Sequence, residues 1–171
     1  KGIKALDFTL NLRNIPEGKV HADHLWLLIH RRMYAMAAEI IKRCQKSYNI
    51  NKSNKYFRTP LSYAASDPEA SELIQLLCSR KDVDLNCRDR VGRTPCMWAA
   101  MSAAPSSLSA LLRAGAEVQV KDKNGETALH FAALGGSLLC VKLLIENMAR
   151  VNAFDKALNT PLMCAGNDTE I

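Results

Sequence analysis

The side chains best able to do chemistry are four histidines, His21, His24, His30 and His130, and six cysteines, Cys44, Cys78, Cys87, Cys96, Cys140 and Cys164. A zinc site would need sulfur and imidazole ligands at short spacing, and a hydrolase a nucleophile with a base beside it. Neither arrangement is present: there is no CxxC pair, no HExxH, no GxSxG and no Gly-rich phosphate loop. Asp122-Lys-Asn-Gly-Glu126 has the opening of a calcium loop, but the remaining ligand positions do not follow it. Most cysteines fall inside apolar segments, such as Leu76-Leu-Cys78 and Leu138-Leu-Cys-Val141. That is the setting of a small buried hydrophobe in a reducing compartment, not of a disulfide framework. No catalytic residue, metal site or cofactor is therefore expected, and function has to come from a surface.

The elements that present this surface must be small and closely packed. Among 171 residues there are 22 Ala and 22 Leu, while aromatics make up 6% and charged residues 23%. This composition suits packed helices better than a sandwich rich in β-branched and aromatic residues. The apolar run Leu25–Ile29 is broken by His30, Arg31 and Arg32, far short of a membrane span. The opening Lys1-Gly-Ile-Lys-Ala-Leu-Asp7 has neither an initiator Met nor a secretory core, and reads as the start of a piece cut from a longer protein.

Self-similarity organises the chain. Thr59-Pro-Leu61, Thr94-Pro-Cys96, Thr127-Ala-Leu129 and Thr160-Pro-Leu162 are spaced by 35, 33 and 33 residues. A second marker, an aliphatic residue and Asn or Gln followed by Asp or Asn, keeps the same phase at Ile50–Asn54, Leu85–Asp89, Val118–Asp122 and Val151–Asp155. Two markers in one register define a repeat. Thr caps a first helix and Pro fits its opening turn. Paired alanines follow at Ala64-Ala65, Ala99-Ala100 and Ala132-Ala133, and Leu and Ile stripes mark a second helix. Gly92 and Gly125 lie in tight turns before the Thr, and Gly115 closes a second helix, where a residue at positive φ is wanted.

The pattern D-x-x-G-x-T-P-L-H-x-A-A…V-x-x-L-L-x-x-G-A-x-V-N resembles the ankyrin repeat. Residues 122–154 and 89–121 match it best, 54–88 less fully, and 155–171 form a truncated repeat. The resemblance implies an all-α solenoid in which each repeat is a β-turn finger followed by two antiparallel helices. It also implies that His130 ties neighbouring repeats together. Phe57 and Leu158 occupy finger-glycine positions, so those turns are expected to differ in backbone conformation. Met148 replaces the closing glycine, leaving Asn147 as the residue expected to take the left-handed conformation. Residues 79–83 hold a two-residue insertion placed in the loop after the second helix.

Residues 23–53 can be fitted as a degenerate first repeat, with Asp23 as N-cap for His24–His30 and an apolar stripe of Met36, Ala37, Ile40, Ile41 and Cys44. Residues 1–22 read as an extended lead-in, alternating at Phe8, Leu10 and Leu12 before a turn at Pro16-Glu-Gly18. The last repeat stops at Ile171 without a second helix, so Leu162 and Met163 are expected to be poorly protected.

The positions that vary between matched repeats form, in the family, the fingertips and inner-helix side of a concave face. They are Lys55, Tyr56 and Arg58 with Ser66 and Asp67; Arg90, Val91 and Arg93 with Met101 and Ser102; and Lys123, Asn124 and Glu126 with Leu134 and Gly135. The resemblance therefore implies a non-enzymatic scaffold or adaptor, cytoplasmic or nuclear, that binds a protein partner there. Asn86 and Asn152 occupy the position that asparaginyl hydroxylation targets in the family, where the plainer role is a bond to the adjacent backbone.

Charge adds a second candidate surface. The formal net charge is +6, and residues 1–53 carry 10 Lys or Arg against 4 Asp or Glu while residues 54–171 carry 13 against 13. No acid lies between Glu39 and Asp67, where Lys42, Arg43, Lys46, Lys52, Lys55 and Arg58 are interleaved with Tyr48, Tyr56 and Phe57. Such a run suits a solvated cap, an acidic protein segment, or nucleic acid or anionic lipid. A recruitment arm of a larger enzyme or channel is the remaining alternative.

Overall fold

The computed structural model describes residues 22–43 and 49–165, in which helices and turns are the only regular structure. Contacts divide the chain into two compact units, residues 1–49 and 50–171. The lead-in expected over residues 1–22 lies outside the described residues except for Ala22, and Cys44, Lys46 and residues 166–171 lie outside them as well.

In the first unit, α1 (Ala22–His30) and α2 (Tyr34–Arg43) pack on each other. Leu25, Leu28, Ile29, Ala37, Ile40 and Ile41 are buried, the amphipathic spacing that a helix pair needs. Asp23, expected ahead of the helix as its N-cap, lies within α1 as its second residue. The chain reverses between them through Arg32 at φ 58°, with Met33 N–H donating to Leu28 O and Arg32 N–H to Ile29 O. This paired bonding is the Schellman closure of a helix end.

The second unit repeats a finger and two helices. Its inner helices are α3 (Pro60–Ala65), α5 (Pro95–Met101), α7 (Ala128–Leu134) and α9 (Pro161–Cys164). The outer helices are α4 (Ser71–Cys78), preceded by a 3-10 turn at Pro68–Ala70, then α6 (Pro105–Arg113) and α8 (Leu138–Glu146). Each inner helix packs on the next inner one and each outer helix on the next outer one, giving two helical layers. The paired alanines are what let the inner layer close up: Ala64, Ala65, Ala99, Ala100 and Ala132 are essentially inaccessible. Leu73, Ile74, Leu77, Leu108, Leu111 and Leu144 fill the space between layers.

Thr59, Thr94, Thr127 and Thr160 all hold extended backbone at the helix start, as the sequence requires. Backbone conformation follows position in the repeat more than residue type. Phe57 (φ 60°) and Leu158 (φ 65°) adopt the same left-handed conformation as Gly92 (φ 89°) and Gly125 (φ 83°), so the four finger turns do not differ as the substitutions suggest. Met148 itself takes φ 65°, and Asn147 stays at φ −97°. Here too a Schellman pair fixes the end, Met148 N–H to Ile145 O and Ala149 N–H to Leu144 O, matching Gly115 and Ala116 one repeat earlier.

Candidate functional site

The fingers are built around one side-chain oxygen each. Asp89 Oδ1 accepts from the backbone N–H of Val91 and of Arg93, both at 2.9 Å, and Asp122 Oδ1 accepts from Asn124 at 2.8 Å and Glu126 at 2.9 Å. Asn54 does the same for Tyr56 and Arg58, and Asp155 for Asn159. An Asx side chain thus replaces the missing ladder bonds of a short turn. Fingers are then joined to one another through the backbone: Arg90 N–H donates to Tyr56 O (3.0 Å), Lys123 to Val91 O (2.9 Å) and Lys156 to Asn124 O (2.8 Å). The result is a continuous strip of turns in fixed register.

Beneath the strip runs a stack of cations and rings. The Arg58 guanidinium lies 4.4 Å from the Tyr63 ring centroid and 3.9 Å from that of Trp98. Arg93 lies 5.5 Å from Trp98 and 5.0 Å from Phe131. Polar contacts hold the stack in place. Arg58 Nη2 donates to Ser62 O and Ser66 Oγ, and Trp98 Nε1 donates to Asp89 Oδ2. Arg93 Nε and Asp122 Oδ2 face each other at 4.0 Å, an ion pair without a hydrogen bond. Burial lowers the Arg58 guanidinium from its ordinary value, with the neighbouring Tyr63 and Asp89 opposing that shift.

His130 is buried in the inner layer. Its Nδ1 accepts from Thr127 N–H at 3.1 Å and lies 2.9 Å from Thr127 Oγ1, which leaves Nε2–H to donate to Asn159 O in the next finger at 3.2 Å. On the far side of the stack, Asn86 Oδ1 accepts from Glu117 N–H at 2.8 Å and Asn51 Oδ1 from Asp84 N–H at 2.8 Å. These bonds reach the next repeat and not the adjacent backbone. Asn152 is exposed at the corresponding place.

A finger followed by two antiparallel helices recurs along the second unit, and at His130 a helix-start side chain reaches the following finger. The family model described as "Ankyrin repeats (3 copies)" matches residues 32–122 and 97–171. The chain belongs to the ankyrin-repeat family. Neurogenic locus notch homolog protein 1 of Xenopus tropicalis is 30% identical to it over 132 residues, 77% of this chain and 5% of that protein. Rabankyrin-5 of Homo sapiens is 37% identical over 121 residues, 68% of this chain and 10% of that protein. Inversin of Gallus gallus is 34% identical over 99 residues, 58% of this chain and 9% of that protein. The chain spans only 5% to 10% of the length of these relatives. Ankyrin repeats are in general protein–protein interaction modules.

Within this ankyrin stack the residues singled out from sequence separate into two groups. Tyr56, Arg90, Val91, Lys123 and Asn124 are exposed on the fingers, and Leu134 is exposed at the end of α7. Arg58 and Arg93 are half-buried in the stack, while Met101 and Glu126 are half-buried beside it. The basic run is divided: Lys42 and Arg43 end α2 of the first unit, Lys52, Lys55 and Arg58 belong to the second, and Lys46 lies outside the described residues. The stacked rings went unread in the sequence, although Tyr63, Trp98 and Phe131 recur at 35 and 33 residues, the period of the Thr marker.

At the other end of the stack, Leu129, Leu138, Val141, Ile145, Val151 and Leu162 line an open apolar groove of about 540 Å³. Leu162 and Met163 are 81% and 57% exposed, as expected. Among the described residues no helix is long and apolar enough to cross a membrane, and no group of three or more His, Cys, Asp or Glu could hold a metal ion.

Proposed function

We propose that this chain is a non-enzymatic scaffold or adaptor module that binds a protein partner through the fingers and the inner-helix ends behind them. The observation that carries this reading is the locked finger strip. The backbone N–H groups of its turns are already bonded, to the Oδ1 atoms of Asn54, Asp89 and Asp122 or to neighbouring carbonyls, while Tyr56, Arg90, Val91, Lys123 and Asn124 are exposed to solvent. A surface whose backbone is fixed before association loses less entropy on binding, and Tyr and Arg are the side chains that most often anchor interfaces. Burial of Cys87, Cys96 and Cys140 as free thiols in the helical core supports a reducing compartment, cytoplasm or nucleus.

The test is recovery of partners from cells by the unaltered chain and by a variant carrying Arg90→Glu and Leu134→Glu, both at exposed positions. Circular dichroism would establish that the variant keeps its helices. Loss of a specific subset of partners is the expected result, and an identical partner list from both proteins would count against the finger face.

A further inference from the structure

Every finger carries a cation immediately after its capping residue: Lys55, Arg90, Lys123 and Lys156 follow Asn54, Asp89, Asp122 and Asp155. All four side chains are exposed, and among the described residues none is paired with a carboxylate. The acids on the same fingers serve the turns: Asp89, Asp122 and Asp155 accept finger N–H groups through Oδ1, and Glu126 accepts from Asn124 Nδ2. Three of the four cationic residues also donate the backbone bonds that join finger to finger, so the same contacts that lock the strip set the cations in a row.

The row has a pitch. Packed helices lie about 8–10 Å apart, and the inner helices behind the fingers therefore separate successive cations by about that distance. A polyproline II segment makes one turn in three residues and rises about 3.1 Å per residue, which places every third side chain on one edge about 9 Å apart. Duplex DNA carries one charge per ~1.7 Å of axis, so a single file of cations one repeat apart leaves most of its phosphates unmet. The row also has an end of different character. Tyr56 and Phe57 are 52% and 58% exposed, and Phe57 holds its ring outward on a left-handed backbone that only a glycine adopts freely.

We propose that Lys55, Arg90, Lys123 and Lys156 form a docking track for an extended acidic polypeptide segment with a carboxylate at every third residue and an apolar residue seated on Tyr56 and Phe57. This deepens the protein-binding reading above and rests on it.

The test uses the whole chain and a fluorescein-labelled synthetic peptide with Glu at every third position, Pro between, and a terminal Leu. It is compared with a permuted peptide of the same composition whose Glu residues are clustered, and with single-stranded oligothymidylate. The periodic peptide should bind at low salt several-fold more tightly than the permuted one. Arg90→Glu with Lys123→Glu should weaken it by roughly tenfold or more, since each reversal replaces attraction by repulsion at an exposed site. The neutral pair Arg90→Gln with Lys123→Gln, which leaves less to disturb in folding, should weaken it by a smaller factor in the same direction. Equal binding of periodic and permuted peptides, an affinity untouched by either pair of substitutions, or tighter binding of the oligonucleotide would each overturn the proposal. A photo-crosslinking residue in place of Val91 separates this from the broader reading. A protein crosslinked there in cells while the periodic peptide fails to bind leaves the finger face standing and removes the acidic track, and failure of both removes both.

Discussion

The Arg58 guanidinium of one repeat sits 3.9 Å from the ring centroid of Trp98 in the next. Trp98 is at once a stacking surface for Arg58, a neighbour of Arg93 at 5.5 Å, and a donor through Nε1 to Asp89. Asp89 in turn shapes the second finger, so the ring couples the inner layer to the finger strip. A solenoid whose repeats touch only their neighbours depends on such interface contacts for cooperativity.

Removing either partner of that pair should therefore destabilise more than its own repeat. In a double-mutant cycle of Arg58→Ala and Trp98→Ala, read by urea unfolding, the coupling is expected at about 1 kcal/mol, within the range of a partly desolvated cation–π contact. Strict additivity of the two single substitutions would mean that the stacking geometry carries no energy.

Strain in the fingers gives a prediction of opposite sign. Phe57 and Leu158 hold φ 60° and 65°, where a side chain is disfavoured by about 1–2 kcal/mol relative to glycine. Phe57→Gly and Leu158→Gly should each raise stability, by up to about 1 kcal/mol once the added freedom of the unfolded chain is counted. The reverse substitution Gly125→Ala should destabilise. Its new Cβ would lie 3.0 Å from Lys156 N, the donor that locks the third finger to the fourth. A higher unfolding midpoint for Gly125→Ala than for the parent would contradict the shared backbone geometry.

These same positions show where sequence stops speaking. Thr59, Thr94, Thr127 and Thr160 name their helices because a capping hydroxyl, followed by Pro at all but Thr127, has one favourable place in a helix. The Asn and Asp markers likewise name their fingers. Phe57, Leu158 and Met148 take positive φ against residue propensity because the turn closures there, Phe57 N–H to Asn54 O, Leu158 N–H to Asp155 O and Met148 N–H to Ile145 O, go with position in the repeat and not with residue type. Asp23 differs for a related reason: a capping residue is also tolerated in the first turn of a helix, where an acid is favourable. For the candidate site, the finger residues were legible from their variability between repeats. The Arg58–Trp98–Arg93–Phe131 stack was not, because stacking needs two repeats in contact and neither residue type is unusual alone.

His130 offers a test of repeat-to-repeat linkage. It satisfies the N-terminus of α7 and the carbonyl of Asn159 at once, from a buried position. His130→Leu fills similar space but leaves Thr127 N–H and Asn159 O unmatched, at a penalty of about 1–3 kcal/mol for buried polar groups. Amide exchange in the last finger, at Asp155–Asn159, should accelerate more than exchange in α5. Uniform acceleration through the stack would mean that the link is not local.

The buried thiols predict a loss of stability at alkaline pH. Burial raises Cys78 and Cys87 from 9.0 to about 11 and Cys96 from 9.0 to about 12. Below about pH 9 these groups hold their protons in both folded and unfolded chains, and their contribution to stability is constant. Between about pH 9 and 12 the unfolded chain releases protons that the folded chain retains, so unfolding becomes progressively more favourable as pH rises. Urea midpoints should be level from pH 7 to 8.5 and then fall, and Cys96→Ala should flatten that fall relative to the parent at every alkaline pH. The same burial predicts that Cys87 and Cys96 react with iodoacetamide at pH 8 only at the rate at which the fold opens, since the thiolate is the nucleophile. Rapid labelling of Cys96 in the native protein, at the rate of a free thiol, would place that residue outside the core that the helical register requires.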